Sequence, residues 1–158
     1  MVEMLNVGLG NLEGSSLLMH NGRLANPFDP YSLAVKAITS KPAKKKTEDD
    51  AMMLYRLEWL GGLYLPRLVP PSEADAATDR PTIPEANILS FINDGARFSR
   101  KGQDVYRGVQ VMDAAFGAPD WPTAPLGKIF DGGEFTDVRS VVMPSGGRTM
   151  RCLSLIHI

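Results

Sequence analysis

The run Thr47-Glu48-Asp49-Asp50 constrains this chain more than any other stretch, because it fixes a helix start almost to the residue. Threonine accepts a hydrogen bond from a free helix amide, and an acid three residues on reaches back to the threonine's own amide. Consecutive acids also suit the positive end of the helix dipole. The pattern predicts a helix from Glu48 to about Leu60, with Met53, Leu54, Leu57 and Leu60 on one apolar face and Glu48, Asp49 and Arg56 largely off it. Gly61-Gly62 ends it, as glycine past a terminus commonly does. Trp59 falls in this helix and is expected in the core.

Other elements follow from periodicity and turn chemistry. Leu5, Val7 and Leu9 alternate as a strand with one buried face, and Leu17-Leu18-Met19 gives a second short apolar run. Asn26-Pro27 and Asp29-Pro30 stop any strand, and Tyr31 to Thr39 reads as a short helix. Leu63-Tyr64-Leu65 suggests a short strand, and the proline-rich and polar stretch over 66–82 an exposed loop. After Ile83-Pro84, the apolar set Ile88, Leu89, Ile92 and Ala96 predicts a helix to about Phe98, with Phe91 expected in the core. Val109 and Val111 alternate as a strand, Ala114 to Gly133 is rich in turn residues, and Val138–Met143 and Arg148–Cys152 flank Pro144-Ser145-Gly146-Gly147 as a hairpin. Interleaved helices and strands with a hairpin predict an α+β domain.

At 158 residues the chain fits one domain with a sizeable core. With 17 basic and 18 acidic residues its formal charge is -1, so any nucleic-acid surface must come from local clustering. The single cysteine, Cys152, excludes a disulfide framework and Cys-based zinc sites, and a reducing cytoplasm is the simplest setting. No apolar run approaches the roughly 18 residues of a membrane span, and Met1 to Asn11 lacks the pattern of a signal peptide. A cytoplasmic protein that does not meet membrane is expected.

The residues that carry chemistry are few. His20 is the one candidate general base, in a loop beside Asn21-Gly22, but it has no identified nucleophile or orienting acid, so no catalytic role is assigned to it. Gly8-Leu9-Gly10 lacks the third dinucleotide glycine and any Gly-Lys-Ser/Thr ending, so no phosphate loop or cofactor is expected. Glu48, Asp49 and Asp50 have the charge to hold a hard cation, yet the helix start accounts for them without metal.

Arginine is the more informative signal. Arg97, Arg100, Lys101 and Arg107 gather around Gly102, with Arg139, Arg148 and Arg151 from the hairpin as further candidates, and guanidinium forks match phosphate oxygens. Lys44, Lys45 and Lys46 form an auxiliary basic loop. Tyr31, Phe98 and Tyr106 are candidates to stack unpaired bases.

Two segments together resemble a known family. An early strand leading into Ser16-Leu17-Leu18-Met19-His20-Asn21, and Ile83-Pro84 opening Asn87-Ile88-Leu89-Ser90-Phe91-Ile92-Asn93-Asp94-Gly95-Ala96-Arg97, resemble the RAMP superfamily, the RNA-binding backbone proteins of CRISPR effector complexes. Glu85-Ala86-Asn87 and Ser90-Phe91 stand where that family carries a Gly-Ser-Ser and a Lys-Gly, and its glycine-rich C-terminal loop has no counterpart. The stretch from Leu18 to Tyr64 is also similar to uncharacterised phage and prophage proteins. The resemblance implies a ferredoxin-like, RAMP-like antiparallel sheet with helices on one face, open to nucleic acid on the other. It also implies a natural chain that continues past Arg151.

The last six residues, 153–158, match an in-frame translation of a transposon-end adaptor used in sequencing libraries. They are therefore read as a non-native tail on a truncated domain spanning 1–152, although Leu153, Leu155 and Ile156 alternate as a strand would. The functional expectation is a non-enzymatic phage or prophage protein that binds single-stranded RNA or DNA through Arg97, Arg100, Lys101, Arg107 and Arg139, with Lys44, Lys45 and Lys46 assisting. The alternatives are a phage-assembly or host-interaction protein that contacts other proteins, and a ribonuclease using His20.

Overall fold

A computed structural model describes residues 16–19, 22–111, 116–117, 121–133, 135–142 and 148–157. Its helices are α1 (Pro30–Thr39), α2 (Glu48–Gly62), α3 (Pro71–Ala74), α4 (Glu85–Phe98), α5 (Gly102–Gly108) and α6 (Leu126–Gly132). Its strands are β1 (Ser16–Met19), β2 (Thr82–Ile83), β3 (Phe116–Gly117), β4 (Thr136–Val142) and β5 (Arg148–His157). Helices and antiparallel strands thus interleave in an α+β arrangement. The strand predicted over Leu5 to Leu9, together with His20, lies outside the described residues.

Local chemistry sets the helix starts. Asp29 caps α1 by accepting the Tyr31 amide at 2.9 Å, with Pro30 in the first turn where its missing donor costs nothing. The capping box of α2 forms as predicted: Asp50 N–H donates to Thr47 Oγ1, and Thr47 N–H donates to Asp50 Oδ2, both at 3.2 Å. Gly61 and Gly62 do not follow α2 but complete its last turn, both buried, because Tyr31 and Leu24 press against Gly61 and leave no room for a larger side chain. The buried face of α2 also differs from the predicted one. Met53 is exposed, and Leu57, Glu58, Trp59 and Leu60 are buried, since only the C-terminal half of the helix enters the core.

The core is aromatic at its centre. Trp59 stacks on Trp121 with centroids 6.0 Å apart and meets Phe130 edge-on at 5.7 Å, while Trp121 leans on Phe135 at 4.7 Å. The Trp59 indole donates to the Phe135 carbonyl at 2.8 Å, so its one polar group stays paired inside the protein.

Besides the Val109–Val111 strand, three predicted segments around the core differ from what forms. Leu63 to Leu65 is not a strand, although the Tyr64 carbonyl accepts the Thr82 amide at 2.7 Å. The 66–82 segment is only partly exposed: Val69, Ala74, Ala77 and Pro81 are buried, and the Ala77 and Asp75 carbonyls receive the first amides of α6 at 2.8 and 3.1 Å. Free amides at a helix start need acceptors, and here a connecting segment supplies them. The 114–133 stretch is not irregular throughout, because α6 forms within it and buries Leu126, Ile129 and Phe130.

The two strands of the predicted hairpin form as β4 and β5, in the order β1-β5-β4, all antiparallel, while its connection over 143–147 lies outside the described residues. Val138 lies opposite Cys152, and α2 packs against β5. Residues 153–157, read from sequence as an adaptor-derived tail, complete β5, and Ser154 to His157 carry its pairing with β1. Among the described residues, no helix is long and apolar enough to cross a membrane.

Candidate nucleic-acid interface

Helices α4 and α5 pack on one another as a pair. Pro84 sets the extended entry to α4, and the helix buries Ile88 and Asn93 on its inner side. Gly102, the first residue of α5, allows the close approach: a Cβ there would lie 2.9 Å from Asn93 Oδ1 and 3.0 Å from Arg97 Cγ. The sequence suggested a strand at Val109 and Val111, but α5 precedes them and they are not in a strand. A seven-residue helix with glycine at both ends carries little propensity signal.

The corner between the two helices is a Schellman motif with an unusual residue. Lys101 N–H donates to the Ala96 carbonyl at 2.9 Å and Arg100 N–H to the Arg97 carbonyl at 3.0 Å, which closes the end of α4. Arg100 therefore occupies the left-handed position, with φ 58°, where glycine is usual. A non-glycine residue there costs about 1–2 kcal/mol.

The α4–α5 pair and its connection carry four of the predicted cations, with Arg97, Arg100 and Lys101 at the corner and Arg107 in the last turn of α5. Arg97, Arg100, Lys101 and Arg107 are all exposed, opposed locally by Asp94 and Asp104. Arg97 reaches Asp94 at a long 3.5 Å, and among the described residues Arg100, Lys101 and Arg107 make no side-chain hydrogen bond or ion pair. An exposed pair of that kind is worth little, so Arg97 is available as well. Phe98 and Tyr106, each adjacent in sequence to one of these arginines, are 94% and 66% exposed. Phe91, expected in the core, is instead 63% exposed.

The remaining predicted residues lie elsewhere. Lys44, Lys45 and Lys46 are exposed on and just after a single 3-10 turn, Ala43–Lys45. Arg139 sits on β4 and ion-pairs with Asp137. Arg151 is held by Glu58. Tyr31 is not a stacking platform: it is buried under the Arg23 guanidinium, and burial pushes its phenol up to about 12. Glu58, which the sequence did not single out, is the buried carboxylate of α2, 4% exposed. Comparison with protein-family models, curated proteins and solved structures returned no match.

Proposed function

We propose that this chain is a non-enzymatic nucleic-acid-binding protein whose α4–α5 corner holds single-stranded RNA or DNA. The observation that carries this reading is that the α4–α5 pair and its connection carry four exposed cations together with two exposed aromatic rings, Phe98 and Tyr106. Guanidinium and ammonium groups hold phosphates without regard to sequence, and base stacking on an aromatic ring adds about 1–3 kcal/mol per base. Stacking needs unpaired bases, so this combination favours a single strand over a duplex. Arg139 and the Lys44 to Lys46 loop act as outlying phosphate contacts at most, since neither belongs to the corner.

The RAMP-like resemblance points to the same ligand class, and a ferredoxin-like sheet in a phage or prophage protein of the host cytoplasm belongs to the same reading. What supports it is the antiparallel order β1-β5-β4 with α2 packed against β5. The test is fluorescence anisotropy with labelled single strands of RNA and DNA and a duplex of equal length. Single strands bind the parent protein more tightly than the duplex, and Phe98→Ala weakens single-strand binding by about 5- to 100-fold. Absence of single-strand binding, or equal loss on the duplex, contradicts the proposal.

A second reading rests on Phe91, whose exposed ring adds apolar surface to the same helical pair. Under it, the corner docks a phage or host protein, and the same arginines contact acidic side chains. A defined protein that co-purifies free of nucleic acid, and is released by Phe91→Ala, favours this reading.

A further inference from the structure

The outer edge of the three-stranded sheet carries a pattern that complements itself. In the order β1-β5-β4, β4 has no strand on its far side among the described residues. Cys152 N–H points away from β4, to the Glu58 carboxylate. With Cys152 opposite Val138, antiparallel alternation then turns the backbone N–H and C=O of Val138 outward as well, along with those of Thr136 and Ser140. Val138 is itself 46% exposed, an apolar side chain on that edge.

We propose that a second copy of this chain pairs with this edge, β4 against β4 in antiparallel register about a two-fold axis at Val138. That register sets Val138 against Val138, Thr136 against Ser140, and Asp137 against Arg139 of the other copy, twice over. The outward-facing groups of Val138 meet as a hydrogen-bonded pair, and the two valines cover one another. The Asp137–Arg139 ion pair within one strand becomes two cross-strand pairs between copies. Edges are usually protected by charges that repel another copy. Here the signs alternate about the central valine, so the same register attracts, and a symmetric partner follows from the self-complementary pattern. An edge-to-edge contact of this length belongs to the small, weak class of interfaces, so the dimer is concentration-dependent.

Sedimentation velocity of the full chain over a wide concentration series tests this, with circular dichroism as the control for folding. The parent shifts from monomer to dimer as concentration rises. Val138→Pro abolishes the shift while leaving the fold intact, because the lost N–H faces outward and not toward β5. Asp137→Arg alone and Arg139→Asp alone each place like charges opposite one another and suppress the dimer, and the double exchange restores it. A parent that is monomeric throughout overturns the proposal. So does self-association of the single variants equal to that of the parent, or a folded double exchange that does not recover the dimer.

Discussion

Glu58 Oε2 accepts the backbone N–H of Cys152 at 3.0 Å, joining the C-terminal half of α2 to β5 across 94 residues of chain. Its other oxygen ion-pairs with Arg151. Among the described residues β1 pairs with β5 from Ser154 onward, and at Cys152 the outward amide is taken by this carboxylate. Removing one member of a buried charged network leaves its partners uncompensated. Glu58→Ala is therefore expected to lower stability by about 1–3 kcal/mol in urea unfolding, chiefly by leaving the Cys152 amide unsatisfied. Glu58→Gln keeps an acceptor for the amide and loses less. Equal, small losses for both would show that the carboxylate does not hold β5.

Arg100→Gly separates stability from binding. Relieving the left-handed arginine raises stability by about 0.5–1 kcal/mol, less than the full strain because glycine is also freer in the unfolded chain. The same change removes one cation from the corner and weakens single-strand binding. Thermal melts and anisotropy on one sample check both; a variant that loses stability contradicts the Schellman geometry assigned to this corner.

Asp50 gives the fold a defined acid dependence. Its carboxyl is held below the usual carboxylate range by the Lys41 ammonium at 2.6 Å and by the Thr47 amide. The folded value is depressed, so the stabilisation is present above the unfolded carboxyl's pKa and is lost as pH falls through the lower, folded one. Asp50→Asn should flatten that acidic limb of a stability-against-pH curve. An unchanged limb would remove Asp50 from the account.

Cys152 should be silent as a thiol in the folded protein. Burial first, then the Glu58 and Asp137 carboxylates, pushes it up to about 11. Its contribution to stability is complete below the unfolded thiol's pKa and disappears as pH rises through the folded one. At mildly alkaline pH an aromatic disulfide reagent should react promptly only after denaturant is added. Prompt reaction of the native chain would contradict the burial of this residue.

What the sequence revealed of this fold was what neighbouring residues decide among themselves. The Thr47 and Asp50 capping box, the Tyr31 to Thr39 helix, the helix opened by Pro84 and the two strands of the hairpin all rest on interactions a few residues long. Met53 and Phe91 show the limit. Met53 belongs to the predicted apolar stripe of α2 and Phe91 is a large apolar residue within a helix, but which part of each helix meets the core depends on distant partners. Val69, Ala74 and Ala77 are buried in the same core cluster as Leu126, Ile129 and Phe130 of α6, and no periodicity announces that. In the candidate site, the cluster of cations was legible because Arg97, Arg100 and Lys101 are neighbours along the chain. The separation of Arg139 from it, and the capture of Arg151 by Glu58, were not, since each is fixed by tertiary contacts.

The salt dependence of single-strand binding tests the central claim most directly. With four cations on the α4–α5 pair and its connection each releasing a counterion from a phosphate, a plot of log binding constant against log salt concentration should have a slope of about -3. Replacing Arg97, Arg100, Lys101 and Arg107 one at a time should reduce that slope by about 0.7 per residue. A salt-independent constant, or a slope that survives loss of all four, would contradict the assignment of this corner as the nucleic-acid interface.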